Sequence, residues 1–140
     1  MSETAKEEIV ATIKECLGLR REICFAQLHG SFLTSRPFRD IDIAVYLDPG
    51  YPKVQTASGH LVYETSLEDQ MERRVGVPVD VRVLNDAPLS FCYSVLKNGR
   101  PLLVRDPLLR CDFQVRTLDM YFDFAPFRHR YLREALGHEV

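Results

Sequence analysis

From Asp40 to Leu47 the chain alternates strictly. Ile41, Ile43, Val45 and Leu47 fall on one side of an extended backbone, and Asp40, Asp42, Ala44 and Tyr46 fall on the other. This is a strand whose apolar row faces a core. Ahead of it, Ile23 to Leu28 reads as a strand buried on both faces that delivers Gly30 and Ser31 to its exit. Further on, Val79, Val81 and Val83 alternate with Asp80, Arg82 and Leu84, which predicts a third strand. Helical spacing takes over elsewhere. Ile9, Val10, Ile13 and Leu17 mark a first helix, opened by a capping box at Thr4 to Glu7 and ended by Gly18. Tyr63, Leu67, Met71 and Val75, four apart, mark a second from about Ser58, and this stripe is expected to be core packing.

Leu89, Cys92, Val95 and Leu96 mark a third helix after Pro88, closed by Asn98 and Gly99. Pro101 to Val104 can add an edge strand, and Leu108 to Gly137 reads as one or two helices, with Pro126 bending or interrupting the run. Stops are clear at Asp48 to Pro52 and at Gly76 to Pro78. The expected order is α-β-β-α-β-α-β-α. It implies an α+β fold, α/β-like, with a small mixed sheet, helices packed on one side and a C-terminal helix.

Composition narrows the function classes. With 140 residues the chain is expected to be one domain over 1–140. A formal net charge of −2 gives no general attraction to nucleic acid or membrane surfaces, so direct nucleic-acid binding is not expected. No apolar run reaches the roughly 20 residues of a membrane span, and the polar start is no signal peptide, so a cytoplasmic location is expected. Cys16, Cys24, Cys92 and Cys111 lack metal-site or disulfide spacing and are expected to be reduced, mostly packed thiols.

The candidate chemistry sits on the polar side of the strands. Asp40 and Asp42, on one face of one strand, can converge their oxygens on a divalent cation, and a close carboxylate pair is costly until a cation or proton neutralises it. Mg²⁺ suits such a site, because it takes one or two carboxylates plus phosphate oxygens. If the third strand lies beside the second, Asp80 joins them. Three aspartates beside a Gly-Ser turn suggest two-metal phosphoryl or nucleotidyl transfer, with Asp80 at the acceptor hydroxyl. Gly30 would let the backbone approach a phosphate, Ser31 would add a hydroxyl and N–H groups, and Arg36 and Arg39 are candidates for the β- and γ-phosphates. His29 is expected to pack or to support the site, and Arg82 either pairs with Asp80 or lines the nucleotide pocket. The aromatic run of Tyr121, Phe122, Phe124, Phe127 and Tyr131, interleaved with Arg128, Arg130 and Arg133, suits either core packing or a protein interface.

The combination of strand, Gly30-Ser31, Asp40-Ile41-Asp42-Ile43 and a later Asp80 resembles the DNA polymerase β nucleotidyltransferase superfamily, and its minimal nucleotidyltransferases in particular. Val79 to Pro88 and Tyr121 to Phe127 resemble the antitoxins of HEPN/nucleotidyltransferase pairs. Members often carry Ala-Arg-Gly soon after Gly-Ser; here Phe32-Leu33-Thr34-Ser35 stands instead. The resemblance implies an adenylyltransferase that moves AMP from ATP onto a tyrosine of a HEPN ribonuclease toxin and silences it, in complex with that toxin. It implies two Mg²⁺ ions on Asp40, Asp42 and Asp80, and nucleotide contacts from Gly30 and Ser31. The alternatives are an antitoxin that neutralises by binding alone, and a nucleotidyltransferase acting on a small molecule or an RNA end.

Overall fold

The computed structural model describes the backbone of residues 2–33 and 39–136, and side chains through residue 123 outside that gap. The elements are α1 (Glu3–Gly18), β1 (Ile23–His29), β2 (Ile41–Leu47), α2 (Ala57–Val75), β3 (Val79–Val83), α3 (Leu89–Asn98), β4 (Arg100–Val104) and α4 (Pro107–Leu136). Short 3-10 turns lie at Ser31–Leu33 and Pro52–Gln55. The four strands form one mixed sheet in the order β3-β2-β1-β4. β1 runs antiparallel to both β2 and β4, whereas β2 and β3 are parallel. That parallel pair is joined by α2, the crossover a parallel connection requires.

The alternation in β2 separates two cores. Ile41, Ile43, Val45 and Leu47 bury against Ile13 and Leu17 of α1 and Tyr63, Leu67 and Met71 of α2. Ala44 and Tyr46 turn the other way and pack with Phe25, Val95 of α3 and Phe113 of α4. Phe25 and Tyr46 face each other across β1 and β2 and stack with centroids 5.3 Å apart. The α+β class and the mixed sheet are as expected, but the helices lie on both faces and not on one. The reason is Phe25 and Tyr46: two large rings on the second face need a cover, which α3 and the first half of α4 provide.

Two boundaries differ from expectation. Ser2 caps α1, accepting the Ala5 N–H at 3.1 Å, and Thr4 lies inside the helix. Gly18 is the last residue of α1, and the cap is Leu19 in a right-handed conformation. Arg105 replaces a glycine cap there: its guanidinium donates to the carbonyls of Gly18, Arg20 and Ile23 at 2.8–2.9 Å. Gly76 does end α2 in the left-handed conformation, with φ 74°. Pro126 does not interrupt α4, which runs through it.

The free edge of the sheet is closed in a way the hydrophobic pattern did not disclose. β3 is an edge strand, and the N–H groups of Val79, Val81 and Val83 donate to Glu72, Glu68 and Glu64 of α2 at 2.9, 2.8 and 2.8 Å. Four helical residues rise about 6 Å and two strand residues about 6.6 Å, so carboxylates spaced by four match amides spaced by two. An edge otherwise open to strand addition is thereby capped. Replacing all three glutamates by alanine should cost roughly 2–3 kcal/mol in denaturant unfolding and raise light scattering at high concentration. Unchanged stability and solubility would mean the rail contributes nothing.

Candidate active site

The parallel register of β2 and β3 sets Asp42 directly beside Asp80. Paired residues of neighbouring strands project on the same face, so the third aspartate lies on the polar side of β2. Asp40 stands one residue before β2, half-buried and two residues from Asp42. The crossover brings together residues separated by about forty positions of sequence, and each direction is fixed by a buried hydrophobic row beneath: Ile41 and Ile43 under β2, Val79 and Val81 under β3.

The electrostatics are those of crowded carboxylates. The Asp42 carboxyl is pushed up to about 6, first by burial, then by the negative charges of Asp40 and Asp80. Arg82 opposes the shift, and a hydrogen bond with Asp80 adds to it. Arg82 Nε lies 3.5 Å from Asp80 Oδ1, so the two side chains are paired.

Gly30 explains how Asp42 fits. Its φ is 80°, and a Cβ added there would lie 2.1 Å from Asp42 Oδ2. The space that a side chain would fill is taken by the Asp42 carboxylate itself, so the missing side chain at Gly30 is what lets that carboxylate sit there. Ser31 is exposed and opens the single 3-10 turn that follows, in which the Leu33 N–H donates to Gly30 O at 3.2 Å.

His29 pairs across the sheet with Asp42, on the same face. Its ring meets Phe91 edge-on at 5.5 Å. Burial lowers its pKa and keeps the ring neutral, while Asp80 pulls the other way. Its Nε2 is buried with no hydrogen-bond partner among the described residues. Phe91 is a wall residue that the sequence did not single out; only the tertiary approach of α3 to β1 reveals it. Arg39 is exposed and makes no ion pair among the described residues. Arg36 lies outside the described residues.

Among the described residues, no three acidic, imidazole or thiol groups are drawn tightly enough together to form a ready-made metal shell. The donor set nevertheless suits a hard divalent cation: it is all carboxylate oxygen, and its mutual repulsion is what a cation relieves.

The sequence profile of the family described as Polymerase beta, Nucleotidyltransferase matches residues 11–108. Comparison with curated proteins finds no match. Among solved structures, a toxin–antitoxin with AMP-PNP is similar at 20% identity and TM-score 0.70, over 91% of this chain and 98% of that one. A tri-AMPylated Shewanella oneidensis HEPN toxin in complex with MNT antitoxin is similar at 19% identity and TM-score 0.64, over 97% and 99%. The toxin–antitoxin MntA-HepT is similar at 18% identity and TM-score 0.64, over 96% and 99%. At these identities the likeness is one of fold. The profile match covers most of the chain and contains Gly30, Ser31, Asp40, Asp42 and Asp80, and the protein therefore belongs to the polymerase beta nucleotidyltransferase family.

Proposed function

We propose that this protein is an antitoxin that transfers AMP from ATP to a tyrosine hydroxyl of a HEPN ribonuclease toxin and so inactivates it. The observation that carries this reading is the pairing of Asp42 with Asp80, with Asp40 two residues from Asp42. Support for the substrate comes from the similar folds: one belongs to a toxin–antitoxin with AMP-PNP, another to a complex whose HEPN toxin is tri-AMPylated.

Asp40, Asp42 and Asp80 would hold two Mg²⁺ ions, which supply charge neutralisation at the triphosphate and lower the cost of the leaving pyrophosphate. Gly30 and Ser31 would shape the turn beside the nucleotide, and Arg36 and Arg39 are the candidate cations for its β- and γ-phosphates. Asp80 accepts the proton of the acceptor hydroxyl, and Arg82 keeps that carboxylate aimed by its contact at 3.5 Å. The tyrosine oxygen attacks the α-phosphorus, the bond to the β-phosphate oxygen breaks, and pyrophosphate leaves. His29 and Phe91 form the wall on the β1 side.

The test is incubation of the purified protein with its HEPN toxin, labelled ATP and Mg²⁺, followed by intact-mass measurement of the toxin. The expected result is toxin carrying one or more AMP groups and losing ribonuclease activity. Inhibition of the toxin with no added mass, unchanged by Asp40→Asn, would establish neutralisation by binding alone and overturn the enzymatic reading.

A further inference from the structure

We propose that the outward face of α4 is a docking seam for a helix of the partner protein, one with an apolar row flanked by lysine or arginine. Identifying that partner as the HEPN toxin rests on the function proposed above; the seam itself rests on α4. One face of this helix is already used, with Phe113 and Thr117 buried against the body. On the opposite side stand Leu108, Cys111, Val115, Leu118 and Phe122, spaced three and four apart. Leu108 is 84% exposed, Val115 50% and Phe122 58%. Single exposed apolar residues need no explanation, but a continuous row does. This row follows the spacing of a helix-pairing seam and runs about 21 Å along the axis. A helix apolar on two opposite sides is one that expects cover on both.

The edges of the row decide what covers it. One edge is closed by α3, where Tyr93 stacks on Tyr121 with centroids 3.7 Å apart. The other edge is open and carries Asp112, Asp119 and Asp123, all exposed. The sole cation among them is Arg116, which pairs with Asp112 at 3.4 Å. The open edge is therefore acidic, and a basic-flanked helix complements it. A second copy of this chain fits poorly. An antiparallel pair of α4 helices would set aspartate edge against aspartate edge, and a parallel pair would drive that edge into the α3 of its mate.

The experiment uses the full-length protein and the HEPN toxin, with affinity measured by calorimetry and oligomeric state by sedimentation. Leu108→Asp with Val115→Asp should weaken the complex about tenfold or more, with an unchanged circular dichroism spectrum and melting temperature, because both side chains are at the surface. Asp112→Lys with Asp119→Lys should weaken it several-fold and flatten its salt dependence. Wild-type affinity in the first variant overturns the seam, as does absence of any complex with the wild-type protein. So does a wild-type dimer that Val115→Asp dissociates, since the seam then belongs to a second copy. A complex that the aspartate variants weaken, in which no AMP is transferred, keeps the seam and removes the enzymatic reading. Transfer of AMP that is indifferent to both variants does the reverse.

Discussion

Asp42→Asn should abolish AMP transfer and at the same time stabilise the metal-free protein. The two effects have one cause. Asp42 is partly buried and faces Asp40 and Asp80, so its charged form is disfavoured until a cation arrives. Losing a group that merely supports a metal ligand already costs about 10–100-fold, so losing a ligand should exceed that and leave no measurable transfer. Without metal, the native carboxyl holds its proton up to about pH 6, above its ordinary value of 3.8. The folded protein thus binds more protons than the unfolded chain between those limits, and the wild type loses stability as the pH rises through them. The asparagine variant has no such loss. In EDTA above pH 7 it should be more stable than the wild type by about 1 kcal/mol, a figure reduced for solvent screening at a carboxyl that is only partly buried. Below pH 4 the gap should close. Mg²⁺ should raise the melting temperature of the wild type and leave the variant unmoved. A variant less stable than the wild type at pH 8 in EDTA would contradict the crowding on which the site is built.

Gly30→Ala carries the second largest expected effect. Two costs coincide at this position. A φ of 80° is strained for any residue with a Cβ, by about 1–2 kcal/mol. The new Cβ would also meet Asp42 Oδ2 at 2.1 Å, so either the turn or the carboxylate has to move. Stability should fall by roughly 2–3 kcal/mol, and AMP transfer should drop at least about a hundredfold even at temperatures where the variant is fully folded. Gly76→Ala is the control: its φ is 74°, but nothing lies within 4 Å of the added Cβ. It should show the backbone cost alone, with transfer intact. Equal losses of transfer in both variants would mean that the contact with Asp42 is irrelevant.

The strands and most helices were legible because local alternation and four-residue spacing are imposed by burial on one side. β2 illustrates this: its apolar row lies in the first core as its pattern required. The stripe of Tyr63, Leu67 and Met71 is likewise core packing. Other features had no local signature. Ser2 caps α1 in place of the expected box at Thr4, since Ser2 and Thr4, on either side of Glu3, both offer a hydroxyl for the cap and the geometry of the first turn chooses. The termination of α1 depends on Arg105, more than eighty residues away. The glutamates of α2 look like a solvated helix face until β3 is laid beside them. The aromatic run at the C-terminus is described only as far as Tyr121 and Phe122, which contact Tyr93 of α3. Phe124, Phe127 and Tyr131, with Arg128, Arg130 and Arg133, lie beyond the described side chains.

By itself, the sequence determined Asp42 of β2 with Asp40 just ahead of it, the glycine turn before them and the isolated aspartate of a later strand. It did so because alternation along one strand is a property of neighbours in the chain. Only the tertiary structure decided that β3 lies parallel to β2 with Asp80 in register with Asp42, that Gly30 yields its side-chain space to that carboxylate, and that α3 and α4 cover the second face. Those relations join residues far apart in sequence, where register and packing rather than local propensity fix which groups meet.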